Sequence, residues 1–322
     1  MHAMGEEQKI CLNPAHEDLR RGYMTENPGT CTAELEAKSG LKARAGSAGA
    51  WLAALRRGLR PFSGPVWQLV YGLYERLLER QVEAMPMPGH IGIILDGNRR
   101  HARASGMNDP EAIYRLGAAK LDEILAWTVD LGIRMVTLWV FSPDNLQRPE
   151  AEIGGIFEAA EAKMRALANA PYIQRHGVHI AVMGRRDLLP PALLEAIDAA
   201  EAATRHNRRI TVTLAIGYGG REEITDAVRA FLADCAARGL STEEAAVRIS
   251  PEAIRRHLYL SDMPDPDLII RTSGEVRLSG FMLWQSVHSE LYFCDVNWPA
   301  MRRIDYLRAI RSFQRRDRRF GV

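Results

Sequence analysis

An α/β fold with a mostly parallel sheet and helices on both faces is what this 322-residue chain predicts, and three observations carry the prediction. Short apolar runs of strand length alternate with longer helical stretches, the pattern that builds parallel sheets. Several of these runs are apolar at nearly every position, as in strands covered on both faces. The runs also stop at polar, turn-forming residues: Asp96-Gly97-Asn98 after residues 90–95, Ser142-Pro143-Asp144-Asn145 after 134–141, and Arg271-Thr272-Ser273-Gly274 after 267–270. Ligands of such sheets sit beyond the carboxyl ends of the strands, so these breaks are candidates for one composite site.

Taken in order, residues 1–50 mix charges with Gly, Ser, Pro and Asn without a sustained period and read as a disordered or loosely held extension. Residues 51–85 form an amphipathic helical segment interrupted at Pro61 and Pro65, with Val66, Leu69, Val70, Leu73 and Leu77 on one face. This face either packs on the main domain or lies at a lipid surface with Trp67, Tyr71 and Tyr74 at headgroup level. The main domain occupies 86–322. Its first strand is followed by Gly97, which permits a sharp turn, and by a short helix carrying Arg99, Arg100 and His101. Asp109-Pro110-Glu111 starts a helix with a capping Asp and an N1 proline, and Gly132 ends it. Helix 150–168, strand 178–183, helix 191–205, strand 210–216, helix 222–238 and strand 267–270 follow. A sixth strand at 290–293 and a basic helix from 305 to about 318 complete six strands in all.

The bulk numbers narrow the function. A net charge of +2 with evenly mixed signs gives no field for nucleic acid. The arginines of the last helix read as a solvated face. Four scattered cysteines, without CxxC or zinc spacing, read as reduced thiols of a cytoplasmic protein. No secretory leader is visible, and no apolar run reaches the ~20 residues of a membrane span, which leaves at most a peripheral membrane contact. The Gly217–Gly220 loop invites a dinucleotide reading, but Glu222 stands where GxGxxG needs its third glycine. A nucleotide cofactor is not expected.

Four stretches carry a resemblance: LDGNRRHA from Leu95, FSPDNLQRP from Phe141, GYGGREEI from Gly217, and RTSGEVRLSGFMLWQSVHSELYF from Arg271. In this order, with strand-like flanks, they resemble the cis-prenyltransferases, the family of undecaprenyl diphosphate synthase, over residues 87 to 321. No Asp-rich DDxxD motif of the trans enzymes occurs. The resemblance implies the non-Rossmann cis-prenyltransferase fold with a hydrophobic tunnel. It also implies a homodimer that condenses isopentenyl diphosphate with an allylic diphosphate using Mg2+.

Residue by residue, the resemblance assigns metal binding to Asp96 and Glu290. A hard cation that neutralises departing phosphate oxygens takes carboxylates of this kind. It places the allylic diphosphate over Gly97, Asn98, Arg99 and Arg100, with His101, Ser142, Pro143, Asp144, Leu146 and Arg148 around it. Arg271, Arg277, Leu278 and Ser279 match the isopentenyl diphosphate clamp, because guanidiniums bind such groups bidentately. Asn145 matches a residue credited with assisting proton removal; an amide is a poor base, so an orienting role is expected. Arg319 and Gly321 match an R-x-G ending that crosses the dimer interface to the second diphosphate. Val140 stands where long-chain members tend to carry Ala, so a short or medium product is expected.

The chain also departs from the family pattern. His101 replaces an aromatic residue, Leu146 replaces Trp or Phe, Asp144 replaces Glu beside the unusual Pro143, and Tyr114 lies near a usual His. A rival reading is a non-catalytic partner subunit that stabilises a catalytic homologue. Such subunits usually lose the metal-binding Asp and the clamp arginines, whereas Asp96, Arg271, Arg277 and Glu290 are all retained here.

Overall fold

A computed structural model describes residues 65–316. The expectations for residues 1–64 and for Arg319 and Gly321 lie outside the described residues. Six strands form one sheet in the order β3-β4-β2-β1-β5-β6, and every neighbouring pair is parallel. They are β1 (His90–Ile94), β2 (Met135–Phe141), β3 (Val178–Met183), β4 (Ile210–Ile216), β5 (Leu268–Arg271) and β6 (Glu290–Phe293). The expected mostly parallel sheet is thus wholly parallel.

Helices cover both faces, and the strand side chains show how. Ile91, Ile93, Val136, Leu138, Val212, Leu214, Leu268 and Ile270 enter the main core. Ile94, Ala215 and Ile269, at alternate positions, enter a second cluster on the opposite face. Two-sided burial is the reason these strands read as continuous apolar runs. The main core is closed by α1 (Pro65–Glu83), α3 (Pro110–Asp130), α4 (Glu150–Asn169), α6 (Pro191–Thr204) and α10 (Arg303–Gln314). The other face carries α7 (Gly220–Ala237), α8 (Thr242–Arg248) and α9 (Pro251–Arg255), whose apolar sides form a third cluster. Short helices α2 (Asn98–Ala104) and α5 (Pro171–Arg175) complete the set. Neither α8 nor α9 was expected from periodicity. Each is too short to show one, and each starts at a serine cap, Ser241 or Ser250.

Helix α1 packs its carboxyl half on the sheet domain. Leu78 and Val82 are buried, Arg303 of α10 pairs with Glu79, and Gln314 donates to the Val82 carbonyl at 2.9 Å. Val70, Tyr71, Leu73 and Leu77 remain exposed. Val70, Leu73 and Leu77 of the face expected from the sequence are thus all exposed, and the packing is made instead by Leu78 and Val82 on another side of the helix. Among the described residues no helix is long and apolar enough to cross a membrane.

Candidate active site

The site begins at the carboxyl end of β1, where the chain turns at Asp96. The turn is pinned from two sides: Asp96 N–H donates to Thr272 Oγ1 at 3.0 Å and Trp298 N–H donates to the Asp96 carbonyl at 2.9 Å. Gly97 follows with φ of +102°, and a Cβ there would come within 2.5 Å of Asn297 Oδ1. Conformation and space both require glycine. Asn98 then opens α2, and its Oδ1 is buried without a partner.

Next to β1, the end of β5 supplies Arg271. Its side chain is only 6% exposed, and Nη2 donates to Asp96 Oδ2 at 2.8 Å. Nη1 donates to Ser279 Oγ at 2.8 Å and also to the Arg277 carbonyl. Arg277 Nε donates to the same serine hydroxyl at 3.2 Å. Ser279 reaches both guanidiniums because its backbone is left-handed, φ +51°, a conformation costly for a residue with a Cβ. Burial alone would raise the Asp96 carboxyl, but the Arg271 hydrogen bond and charge outweigh it and hold the pKa below the ordinary value. Asp96 is therefore an anion at neutral pH. Arg100 donates to the Ser273 carbonyl at 2.7 Å, and both Arg100 and Arg277 pair with Glu275. Two separate segments thus hold one cluster of guanidiniums.

The end of β2 completes the mouth. Asn145 Oδ1 accepts from Ser142 N–H at 3.0 Å, and the Asn145 carbonyl accepts from Arg148 N–H at 3.0 Å. The amide oxygen is thus engaged in holding its own turn. Arg148 Nη1 donates to Tyr114 Oη at 3.0 Å and to Glu152 Oε1 at 2.9 Å, while Tyr114 donates to Glu152 at 2.6 Å. Burial, then the hydrogen bond to Glu152, raises the Tyr114 phenol, which stays neutral.

These groups border one cleft of about 390 Å³. Asp96, Asn98, Arg99, Arg100, Ser142, Asp144, Asn145, Arg148, Arg271, Arg277 and Ser279 line it, and so does Val140. Beyond them the wall turns apolar between α3 and α4, with Ala118, Leu121, Ile156, Ala159 and Met164. Gly97 faces an adjoining hollow with Arg99, Arg103 and Tyr114. His101, Pro143, Leu146 and Leu278 lie outside the cleft wall: Leu146 is exposed, and Leu278 packs on the second apolar cluster.

Glu290 requires a correction. It was expected to join Asp96 as a second ligand of one metal ion, but the chain does not bring it there. Parallel register pairs Glu290 with Leu268 and sets Phe293 level with Arg271 and Ile94. Glu290 therefore opens β6 at the opposite end of the sheet from Asp96. Three residues of strand, about 10 Å, lie between its level and the end of β1. Two strand spacings, about 10 Å more, separate the two strands laterally. Its carboxylate pairs with Arg316 of the C-terminal segment. A motif places residues along the chain, while strand pairing decides which end of the sheet they reach within it. Among the described residues there is no cluster of three metal-binding side chains.

Several supporting residues were not anticipated. Thr272, Trp298, Glu152 and Glu275 hold the ligand-facing groups from behind. Glu223 is fully buried and accepts from Tyr218 Oη at 2.6 Å, from Gln285 Nε2 at 3.0 Å and from Tyr259 N–H at 3.1 Å. It ties the start of α7 to the segment that carries Ser279. At the same junction Gly220 N–H donates to the Gly280 carbonyl at 2.8 Å, and a Cβ on Gly220 would come within 2.6 Å of that oxygen. Close approach of two backbones explains Gly220, and a left-handed φ of +67° beside the Arg185 carbonyl explains Gly217. The signal was present in Glu223, an acid beside a glycine pair at a helix start.

Converging guanidiniums around the Asp96 carboxylate, opening onto an apolar cleft at the edge of a parallel sheet, suit an amphiphile with an anionic head and a hydrocarbon tail. Known proteins agree with that class. Residues 94–321 match the family model described as "Putative undecaprenyl diphosphate synthase", and the chain belongs to this prenyltransferase family. It is 51% identical over 254 residues to an isoprenyl transferase of Deinococcus radiodurans, covering 79% of this chain and 92% of that protein. It is 50% identical over 252 residues to the (2Z,6E)-farnesyl diphosphate synthase of Thermobifida fusca, covering 78% of this chain and 97% of that one. Among solved structures, it superposes on lavandulyl diphosphate synthase from Lavandula x intermedia, in complex with dimethylallyl diphosphate, with a TM-score of 0.67. That likeness has 30% identity and covers 73% of this chain and 99% of the other.

Proposed function

We propose that this chain condenses isopentenyl diphosphate with an allylic diphosphate, geranyl or farnesyl, to give a polyprenyl diphosphate with a new Z double bond. The observation that carries the reading is the Asp96–Arg271 contact at the mouth of an apolar cleft. It joins two motifs 175 residues apart. Arg99, Arg100 and Arg148 would hold the allylic diphosphate at the mouth, its hydrocarbon running into the cleft between α3 and α4. Arg271, Arg277 and Ser279 would hold the second diphosphate. The carbon–oxygen bond of the allylic diphosphate breaks, and the diphosphate leaves with the electron pair. The terminal alkene carbon of isopentenyl diphosphate forms the new carbon–carbon bond, and a proton passes from its C2 to a diphosphate oxygen. Asn145 serves by holding the Ser142–Arg148 turn rather than as a base.

Magnesium fits this donor set. Such an ion is commonly held by one or two carboxylates plus substrate phosphates, and Asp96 is an ionised carboxylate facing the cleft. When bound, the ion supplies neutralisation of the departing diphosphate's charge. Arg271 orients the Asp96 carboxylate for it. Glu290 stands at the other end of the sheet within one chain, so its expected part in holding the ion belongs to this reading only as a carboxylate brought by a second copy.

A homodimer belongs to the reading, on the match of Arg319 and Gly321 to a subunit-crossing ending. So does a short or medium product, supported by Val140 in the cleft wall. A cytoplasmic location is supported by two buried unpaired cysteines, Cys235 and Cys294. A peripheral membrane contact is supported by the exposed Val70, Tyr71, Leu73 and Leu77. Retention of Asp96, Arg271 and Arg277 in one hydrogen-bonded group speaks against a non-catalytic partner subunit.

The test is direct. Purified protein is incubated with magnesium, isopentenyl diphosphate and either geranyl or farnesyl diphosphate, and the products are dephosphorylated and sized. Elongated Z-prenyl alcohols are expected, and Asp96→Ala should make none while melting as a folded protein. Absence of elongation with both primers would overturn the reading.

A further inference from the structure

The apolar part of the cleft ends on a charged side chain that no motif singles out. Helices α3 and α4 both start at the mouth: Tyr114 bonds to Glu152 there, and a Cβ on Gly155 would touch the backbone at Pro110 and Glu111. From Glu152 to Lys163 is eleven residues of α4, a depth of about 16 Å. Lys163 and its neighbour Met164 are the deepest α4 residues in the wall, opposite Leu121 of α3. The Lys163 side chain is 15% exposed, and Nζ donates to Asp122 Oδ2 at 2.8 Å, while Asp122 is 63% exposed. The methylene stem therefore lines the cleft as its ammonium emerges at the surface. The side chain spans from α4 to α3 across the deep end.

We propose that Lys163, held across the gap by Asp122, is the end wall that sets the maximum length of the hydrocarbon the cleft accepts. This rests on the prenyl-transfer reading above and adds a residue outside its motifs. An elongating chain enters at the mouth and advances between α3 and α4 with each addition. At Lys163 it meets the stem. To pass, it must displace the side chain and break the ion pair, leaving the ammonium beside hydrocarbon or swung fully into water. An exposed ion pair is a weak tie that salt weakens further. The wall is therefore a yielding one, and its position depends on a charge on each helix.

The test compares product lengths made by the wild type, Lys163→Ala and Asp122→Asn at saturating isopentenyl diphosphate. The wild type must first elongate a primer; failure at that step counts against the prenyl-transfer reading and not against the wall. Given turnover, Lys163→Ala should move the dominant product up by at least one five-carbon unit, with the KM for the allylic primer within about twofold of the wild type. Asp122→Asn, an exposed change that leaves the core untouched, should move it in the same direction by less. Wild-type product in 0.5 M salt should drift the same way. An unchanged ladder in an active Lys163→Ala enzyme overturns the proposal. If that variant fails to fold, an unchanged ladder in Asp122→Asn overturns it as well. Lengthening by Val140→Ala alone, with both charge variants inert, would place the wall at Val140 instead.

Discussion

Arg271 Nη2 lies 2.8 Å from Asp96 Oδ2, and the arginine of that pair is nearly buried while the carboxylate is open to the cleft. The contact unites the ends of two neighbouring strands. It also leaves one face of the carboxylate available to a ligand. Removing either partner has different consequences.

Arg271→Ala should both destabilise the protein and stop turnover. Losing one member of a buried pair costs 3–5 kcal/mol. Because Asp96 is partly solvated, about 2 kcal/mol is expected, seen as a melting point lower by roughly 4–8 °C. Arg271→Lys should recover part of the stability and little activity, because an ammonium cannot reach Asp96, Ser279 and the Arg277 carbonyl together. Melting curves alongside initial rates check both. Full activity in the lysine variant would remove the fork from the account.

His90 predicts an acid sensitivity of its own. Its Nδ1 lies 2.7 Å from the Pro264 carbonyl and so carries the proton, leaving Nε2 to accept from Thr137 Oγ1 at 2.8 Å. Burial lowers its pKa from 6.5 to about 4. Below 6.5 the unfolded chain takes up a proton that the folded chain refuses until about pH 4. Stability is thus fully present above 6.5 and falls as the pH drops through that window, by roughly 3 kcal/mol in all. Urea unfolding of the wild type and His90→Asn at pH 7 and 4.5 should show a smaller loss in the variant. Equal losses would contradict it.

Gly97→Ala should act through shape alone. The added methyl would meet Asn297 at a left-handed backbone position, a cost of about 1–3 kcal/mol. The turn that would relieve it carries Asp96 and Asn98. Activity should therefore fall at least tenfold even where the protein is fully folded, and a folded variant with normal turnover would refute the linkage.

These positions show what the sequence revealed and where it stopped. Strands β1, β2 and β5 were legible because two-sided burial leaves unbroken apolar runs, and their polar ends marked the site. Asp96, Ser142 and Arg271 could be gathered by reasoning about one sheet edge, and the family resemblance added Arg277 and Ser279. Glu290 could not be placed, because register is set by pairing with β5. The wall residue Lys163 looks in sequence like any solvated lysine of an amphipathic helix; only the packing of α4 on α3 turns its stem inward. Periodicity likewise said nothing of α8 and α9.

Glu223 predicts a separation of binding from chemistry. Glu223→Ala leaves three buried donors unpaired, each worth about 1–3 kcal/mol. The segment bearing Ser279 would loosen. The KM for isopentenyl diphosphate should rise several-fold more than that for the allylic primer, and Glu223→Gln should restore most of it. Equal effects on both KM values would make Glu223 structural only.

The central claim is that Asp96 links a divalent ion to the allylic diphosphate held at this sheet edge, and calorimetric titration with farnesyl diphosphate alone tests it most directly. In the wild type, magnesium should tighten binding at least tenfold. In Asp96→Asn, which keeps the shape and a contact for Arg271, that gain should vanish while magnesium-free binding persists. An equal magnesium effect in both proteins would contradict the account.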